Sequence, residues 1–154
     1  MIFEDEKDFE NFVRGLIKNI ECGEEQDLDV FDHQTVNDIF VCRNGKNPKV
    51  FFIEIKYFTK KKNRVGIGEG NGTGLQLEIL GKRPQYLEDY LKWIITHEDK
   101  EDCYWFIDNE TLLKYVNTES NSSQKNISRK LFSNEQCYSQ SELIDKLKNW
   151  LGEK

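Results

Sequence analysis

Three side chains carry chemistry by type and spacing: Asp38, Glu54 and Lys56. Glu54 and Lys56 lie in Lys49–Phe58, Lys-Val-Phe-Phe-Ile-Glu-Ile-Lys-Tyr-Phe, whose β-branched and aromatic content predicts a strand. Alternate side chains of a strand leave on opposite faces. Phe52, Glu54, Lys56 and Phe58 therefore share one face, and Phe51, Ile53, Ile55 and Tyr57 share the other. Both faces are strongly apolar, the mark of a strand covered on both sides. A lone ion is costly there, so Glu54 and Lys56 need partners or a metal. The plainer alternative is a surface Glu–Lys pair on a half-exposed antiparallel strand, and Phe52 and Phe58 on the same face count against it.

Asp38 stands in a similar place. In Val36-Asn37-Asp38-Ile39-Phe40-Val41-Cys42 it shares a face with Val36, Phe40 and Cys42, an acid among apolar neighbours. The spacing predicts a strand over 36–43, and Asn44-Gly45-Lys46-Asn47-Pro48 carries the signals of a turn. The two strands then form a hairpin that brings Asp38 toward Glu54. Two carboxylates on neighbouring strands, with a lysine two residues beyond one of them, suit a divalent cation. Mg²⁺ takes hard oxygen ligands, usually one or two carboxylates with waters and substrate phosphate, and Mn²⁺ can substitute. Such an ion activates water and neutralises charge developing on phosphorus. The lysine can orient or deprotonate that water, or stabilise the charged phosphorane.

An aspartate, fifteen intervening residues across a hairpin, and Glu-x-Lys on a hydrophobic strand together resemble the PD-(D/E)XK (restriction-endonuclease-like) nuclease superfamily. The resemblance covers residues 8–80. It implies an α/β fold with a three-layer core, a mixed β-sheet flanked by helices. It implies an Mg²⁺-dependent DNA endonuclease of the restriction or defence kind. The alternatives are a Holliday-junction-resolvase-like enzyme or a catalytically idle DNA-binding or assembly subunit of the same fold. Asp38 and Glu54 would hold the metal with help from the Ile55 carbonyl, and Lys56 would be catalytic. The segment from Asp8 to Ile17 is similar to the family's first helix, whose glutamate can join the metal shell. Glu10 fits that place, and equally fits a surface acid. Gln76 matches a glutamine that several members aim at the site from the helix after Glu-x-Lys; the competing view is an ordinary helix start after a glycine hinge. One departure is Asn37, which stands where the family usually has proline.

Net charge is −6, but it is unevenly spread. Residues 43–64 hold eight bases and one acid, net +7, against −13 for the remainder. Local field steers ligands more than total charge does, so a basic block favours a polyanion approaching one face. Lys60, Lys61, Lys62, Arg64 and Arg43 are the candidate DNA contacts, with Lys82, Arg83, Arg129 and Lys130 as supplements or plain surface. A solvated lysine hairpin on an unrelated α/β protein is the bland alternative. The small size, and two strands to cut, favour a homodimer.

The elements that must position these residues follow from periodicity. Phe9, Phe12, Val13, Leu16, Ile17 and Ile20 form one apolar stripe and predict a helix over 5–21, ended by Cys22-Gly23. Another strand is expected around 28–32. Val65–Gly74 has five glycines and predicts no regular structure; it fits neither the P-loop nor the Rossmann spacing, and no organic cofactor is expected. Helix is expected from Thr73, and again from Pro84 to about Thr96, with Tyr86, Tyr90 and Trp93 at helical spacing. A strand over 103–108, a helix capped by Asp108 or Asn109, an ambiguous stretch at 126–138 and a helix over 139–151 complete the order. His33 and His97 read as exposed or internally satisfied. The four cysteines have no metal or disulfide spacing and are expected as reduced thiols. At 154 residues a single domain spanning 1–154 is expected. The sequence has no apolar run of membrane length and no basic, apolar leader, so a cytoplasmic protein without a membrane role is expected.

Overall fold

The structure, a computed structural model, describes residues 2–21, 26–32, 38–60, 65–67, 90–116 and 125–152. Helix α1, Glu6–Lys18, opens where Asp5 accepts the Asp8 amide, an N-cap that satisfies one of the helix's first donors. Strands β1 (Gln26–Asp32), β2 (Ile39–Gly45) and β3 (Lys49–Phe58) follow as an antiparallel meander. Asn47 and Gly45 take positive φ at the β2–β3 turn, the left-handed backbone that Asn and Gly tolerate best.

After β4 (Val65–Ile67), strand β5 (Leu91–His97) pairs parallel with β3, and β6 (Tyr104–Asp108) pairs antiparallel with β5. The main sheet is thus mixed, with order β1-β2-β3-β5-β6. Short helix α2 (Asn109–Leu113) is capped by Asp108, and β7 (Lys125–Ile127) pairs with β4 in a separate two-stranded sheet. Helix α3 (Lys130–Asn134) precedes α4 (Gln140–Leu151), which starts on a Ser139–Glu142 capping box. Among the described residues no helix is long and apolar enough to cross a membrane.

Helices α1 and α4 cover one face of the sheet, where Phe9, Val13, Ile17, Leu143, Leu147 and Leu151 bury against Ile39, Val41, Phe51, Ile53 and Ile55. The other face packs Phe58, Trp93, Ile95, Trp105 and Ile107 against Leu112, Ile127 and Leu131. The result is the expected α/β arrangement, helices on both sides of a mixed sheet. Each large side chain sealed in these layers contributes about 1.5–3 kcal/mol. Glu54 and Lys56 leave β3 on the face of Trp93 and Ile95, their register partners on β5.

Three expectations change. Leu91–His97 is a strand, not the end of a helix: Trp93, Ile94, Ile95 and Thr96 are bulky or β-branched and pack on both faces once the parallel partner is in place. Within the glycine-rich stretch, Val65–Ile67 is ordered as β4 because β7 supplies its ladder. Cys103 and Cys137 form a disulfide rather than two reduced thiols. Paired hydrogen bonds between the Tyr104 and Tyr138 backbones, 2.8 and 2.7 Å, bring the two cysteines within reach from 34 residues apart. Cys42 is a free, half-buried thiol.

Candidate active site

Strands β2 and β3 stay paired from Arg43–Lys49 to Ile39–Ile53 and then part. Beyond Ile53 the β2-facing edge of β3 is taken over by side chains. Asp38, the residue just before β2, accepts the Ile55 amide through Oδ2 at 2.7 Å. Glu6, in the first turn of α1, accepts the Tyr57 amide at 3.2 Å. Two carboxylates therefore occupy successive donor positions where a strand would otherwise continue. The amide and carbonyl of one strand residue point to the same edge, so the Ile55 carbonyl faces this opening with Asp38.

Glu54 lies beside Asp38, near enough for each carboxyl to shift the titration of the other. Glu54 is 1% exposed, and burial pushes its carboxyl well above the usual carboxylate range. The Asp38 charge adds to that push, and Lys56 opposes it. Burial also raises Asp38, against the pull of the Ile55 amide and Lys56. Glu6 is raised by burial too, with Lys56 and the Tyr57 amide pulling the other way. Lys56 Nζ sits 3.9 Å from Glu6 Oε1. One ammonium thus faces three carboxyls, each of which burial raises toward its protonated form.

That imbalance bears on a metal ion. Among the described residues no three His, Cys, Asp or Glu side chains are gathered tightly enough to hold an ion alone. The close pair is Asp38 and Glu54, and a Mg²⁺-like ion asks for only one or two carboxylates, taking water and phosphate for the rest. A buried acid beside a half-buried one, both raised toward their protonated forms, marks a place where positive charge is wanted. The donors are all hard oxygens, so the residues fit the group.

Of the remaining sequence candidates, Glu10 is buried one turn along α1, paired with Arg14 at 2.6 Å and Lys7 at 3.0 Å. Its charge still raises both Glu6 and Asp38. Glu6, four residues earlier on the same helix face, is the acid that touches β3. Sequence reasoning passed over it, although the Asp5 cap signal places Glu6 at the first helical position and one turn before Glu10. Lys60 is exposed just past β3, with Nζ 2.8 Å from Asp99. Arg43 departs from its expected role in DNA contact. It is 7% exposed, and its guanidinium donates to the carbonyls of Leu151 at 2.9 Å and Asn47 at 3.1 Å. It also lies over the Phe51 ring. Arg43 falls on the α4 side of β2, where the end of that helix turns its carbonyls toward it. Gln76, Lys61, Lys62, Arg64, Lys82, Arg83 and His33 lie outside the described residues.

No family model matches the chain, and no curated protein matches it. Among solved structures it is similar to a Holliday junction resolvase from Archaeoglobus fulgidus, an archaeal hyperthermophile. That likeness has 11% sequence identity and a TM-score of 0.46, and covers 90% of this chain and 97% of the other. At that level it bears on neither chemistry nor substrate; those rest on the geometry of the site.

Proposed function

We propose that this chain is a divalent-metal-dependent nuclease of the PD-(D/E)XK type, hydrolysing phosphodiester bonds in DNA. The observation that supports it is the buried Asp38–Glu54 pair beside Lys56 at the opened edge of β3. Acids with shifted pKa values, crowded around one lysine on a sheet edge, are costly for stability and suit a working site.

Asp38 and Glu54 would hold Mg²⁺ or Mn²⁺, with the Ile55 carbonyl on the same edge. When bound, the ion supplies Lewis-acid charge against the phosphate and lowers the pKa of water. Asp38 is fixed through Oδ2 by the Ile55 amide, which holds its carboxylate in one orientation. Lys56 is held beside Glu6, where its ammonium can orient the attacking water and meet charge on the non-bridging oxygens. Glu6 sets the lysine's position and holds the entering edge of β3 closed to another strand. Lys60, exposed at the end of β3, adds a backbone-phosphate contact. A cytoplasmic homodimer, with one site per strand, completes the reading.

The test is cleavage of duplex, single-stranded, branched and modified DNA with Mg²⁺ or Mn²⁺. Cleavage by the wild type and its loss by about 10³-fold in Glu54→Ala, with DNA binding retained, is the expected result. Preference for branched over linear duplex would mark a junction enzyme, and the reverse a restriction-like one. Binding without metal-dependent cleavage on every substrate overturns the enzymatic reading in favour of an idle subunit.

A further inference from the structure

The stretch of chain just before α1 lies against the end of β3, on the face of the sheet opposite Lys56. Phe3 is 5% exposed, with its ring 5.0 Å from Phe9, 5.1 Å from Phe12 and edge-on to Tyr57 at 6.0 Å. Its carbonyl accepts the buried Tyr57 hydroxyl at 2.8 Å. A buried tyrosine hydroxyl needs such a partner, and here the partner is backbone.

Tyr57 has two donors, and both end on this one short segment. The hydroxyl reaches the Phe3 carbonyl, and the backbone amide reaches Glu6 Oε2 at 3.2 Å. Between those points Asp5 caps α1 by accepting the Asp8 amide, which fixes Glu6 as the first helical residue. The start of α1 is thus braced on β3 at two points three residues apart. It can neither slide along the strand nor turn about its own axis without breaking one of them.

That brace bears on the site because Glu6 divides its two oxygens. Oε2 takes the Tyr57 amide, and Oε1 lies 3.9 Å from Lys56 Nζ. Lys56 is the chain neighbour of Tyr57, and its side chain leaves β3 on the other face. A lysine side chain has much rotamer freedom, and a fixed carboxylate beside its ammonium restricts it. A hydroxyl on one face of the sheet therefore holds the carboxylate that meets the ammonium on the other.

We propose that Tyr57 is a positioning residue for Lys56: through the Phe3 carbonyl its hydroxyl holds Glu6 on the edge of β3, and so sets where the ammonium stands. This rests on the nuclease reading. The Tyr57 ring stays in the core with Phe3 and Phe9 and touches no substrate, so it acts on the rate of the bound complex and not on DNA affinity. A misplacement of even 1 Å at a reacting group is enough to lower a rate strongly.

The experiment is a double-mutant cycle in single-turnover cleavage at saturating DNA and Mg²⁺, well below the melting temperature, with Tyr57→Phe, Glu6→Ala and the two combined. Y57F lowers the rate by about tenfold with DNA affinity unchanged. Added to E6A, it changes the rate by less than about twofold, because Glu6 is the lever through which the hydroxyl acts. A second readout is deuterium exchange of backbone amides by NMR in the metal-free chain without DNA. Y57F raises exchange of the residue-57 amide by about tenfold, while the Ile55 amide, held by Asp38, keeps its rate. A full rate in Y57F, or an equal loss with and without Glu6, overturns the positioning role. So does unchanged exchange at residue 57, or a parallel rise at residues 55 and 57, which marks general loosening of the fold. If the wild type cleaves no DNA the nuclease reading falls, and a selective rise at residue 57 still supports the bracing of Glu6 by the Tyr57 hydroxyl.

Discussion

Arg43 and the Asp38–Glu54–Lys56 group are charged side chains, wholly or partly buried at opposite ends of one hairpin, and they are treated in opposite ways. Arg43 is met by neutral acceptors: the Leu151 carbonyl, the Asn47 carbonyl and the Phe51 ring. The last carbonyls of α4 carry the negative end of the helix dipole, which further suits a guanidinium. At the other end, three carboxyls face one lysine, and burial raises all three toward their protonated forms. Complete matching makes a charge part of the framework. Incomplete matching leaves a site that a cation and a phosphate can complete.

The largest effect that separates the two ends is catalytic. Lys56→Ala lowers the rate of metal-dependent DNA cleavage by about 10²–10⁴-fold, read in single-turnover assays. Arg43→Met leaves that rate within about threefold, since no part of its side chain reaches the site. A large rate loss in R43M would break the comparison.

Next is stability. Arg43→Met orphans two carbonyls and lowers the unfolding free energy by about 2–4 kcal/mol in urea titrations. Asp38→Asn keeps an acceptor for the Ile55 amide while removing one of the crowded charges, and stabilises the metal-free protein at neutral pH. That gain with simultaneous loss of cleavage is what an activity-for-stability exchange predicts.

A smaller effect comes from pH. Glu54 is raised in the folded state, so the folded chain binds more protons than the unfolded one above the ordinary glutamate range. Its contribution is fully present below that range and is lost as pH rises through the raised value. Metal-free stability therefore declines over this window, and Glu54→Gln flattens the decline. Mg²⁺ competes with the same proton, so Mg²⁺ at about 10 mM raises Tm by about 2–4 °C at pH 8, less at pH 5, and not in E54Q. Equal shifts at both pH values would remove the account of a raised Glu54 carboxyl. The smallest effect belongs to Lys60→Ala, which lowers the salt slope of DNA binding by at most about one and leaves cleavage at saturating DNA unchanged.

Much of the fold and of the candidate site was legible in sequence, and the reasons for the gaps are local. Lys49–Phe58 forms a strand over the expected residues because an alternating, doubly apolar run has few other stable fates. α4 is likewise announced by a capping box and an apolar stripe. Leu91–His97 was misread because its apolar residues satisfy a helical and a buried-strand pattern alike, and only pairing with β3 decides between them. Arg43 looked like one more cation of a basic block, since the carbonyl that claims it is 108 residues away. Glu6 was overlooked because nothing in a helix's first turn says which strand it will meet.

By itself the chain's order of residues determined the periodicities, the helix caps and the unusual setting of Asp38, Glu54 and Lys56 among apolar neighbours. These are short-range properties, set by side-chain alternation and by the few residues that close a turn. Tertiary structure alone decided that β2 and β3 part after Ile53, that Glu6 and Asp38 fill the vacated edge, and which buried charges are matched. Those outcomes depend on groups far apart in the chain, whose energies exist only once the fold has brought them together.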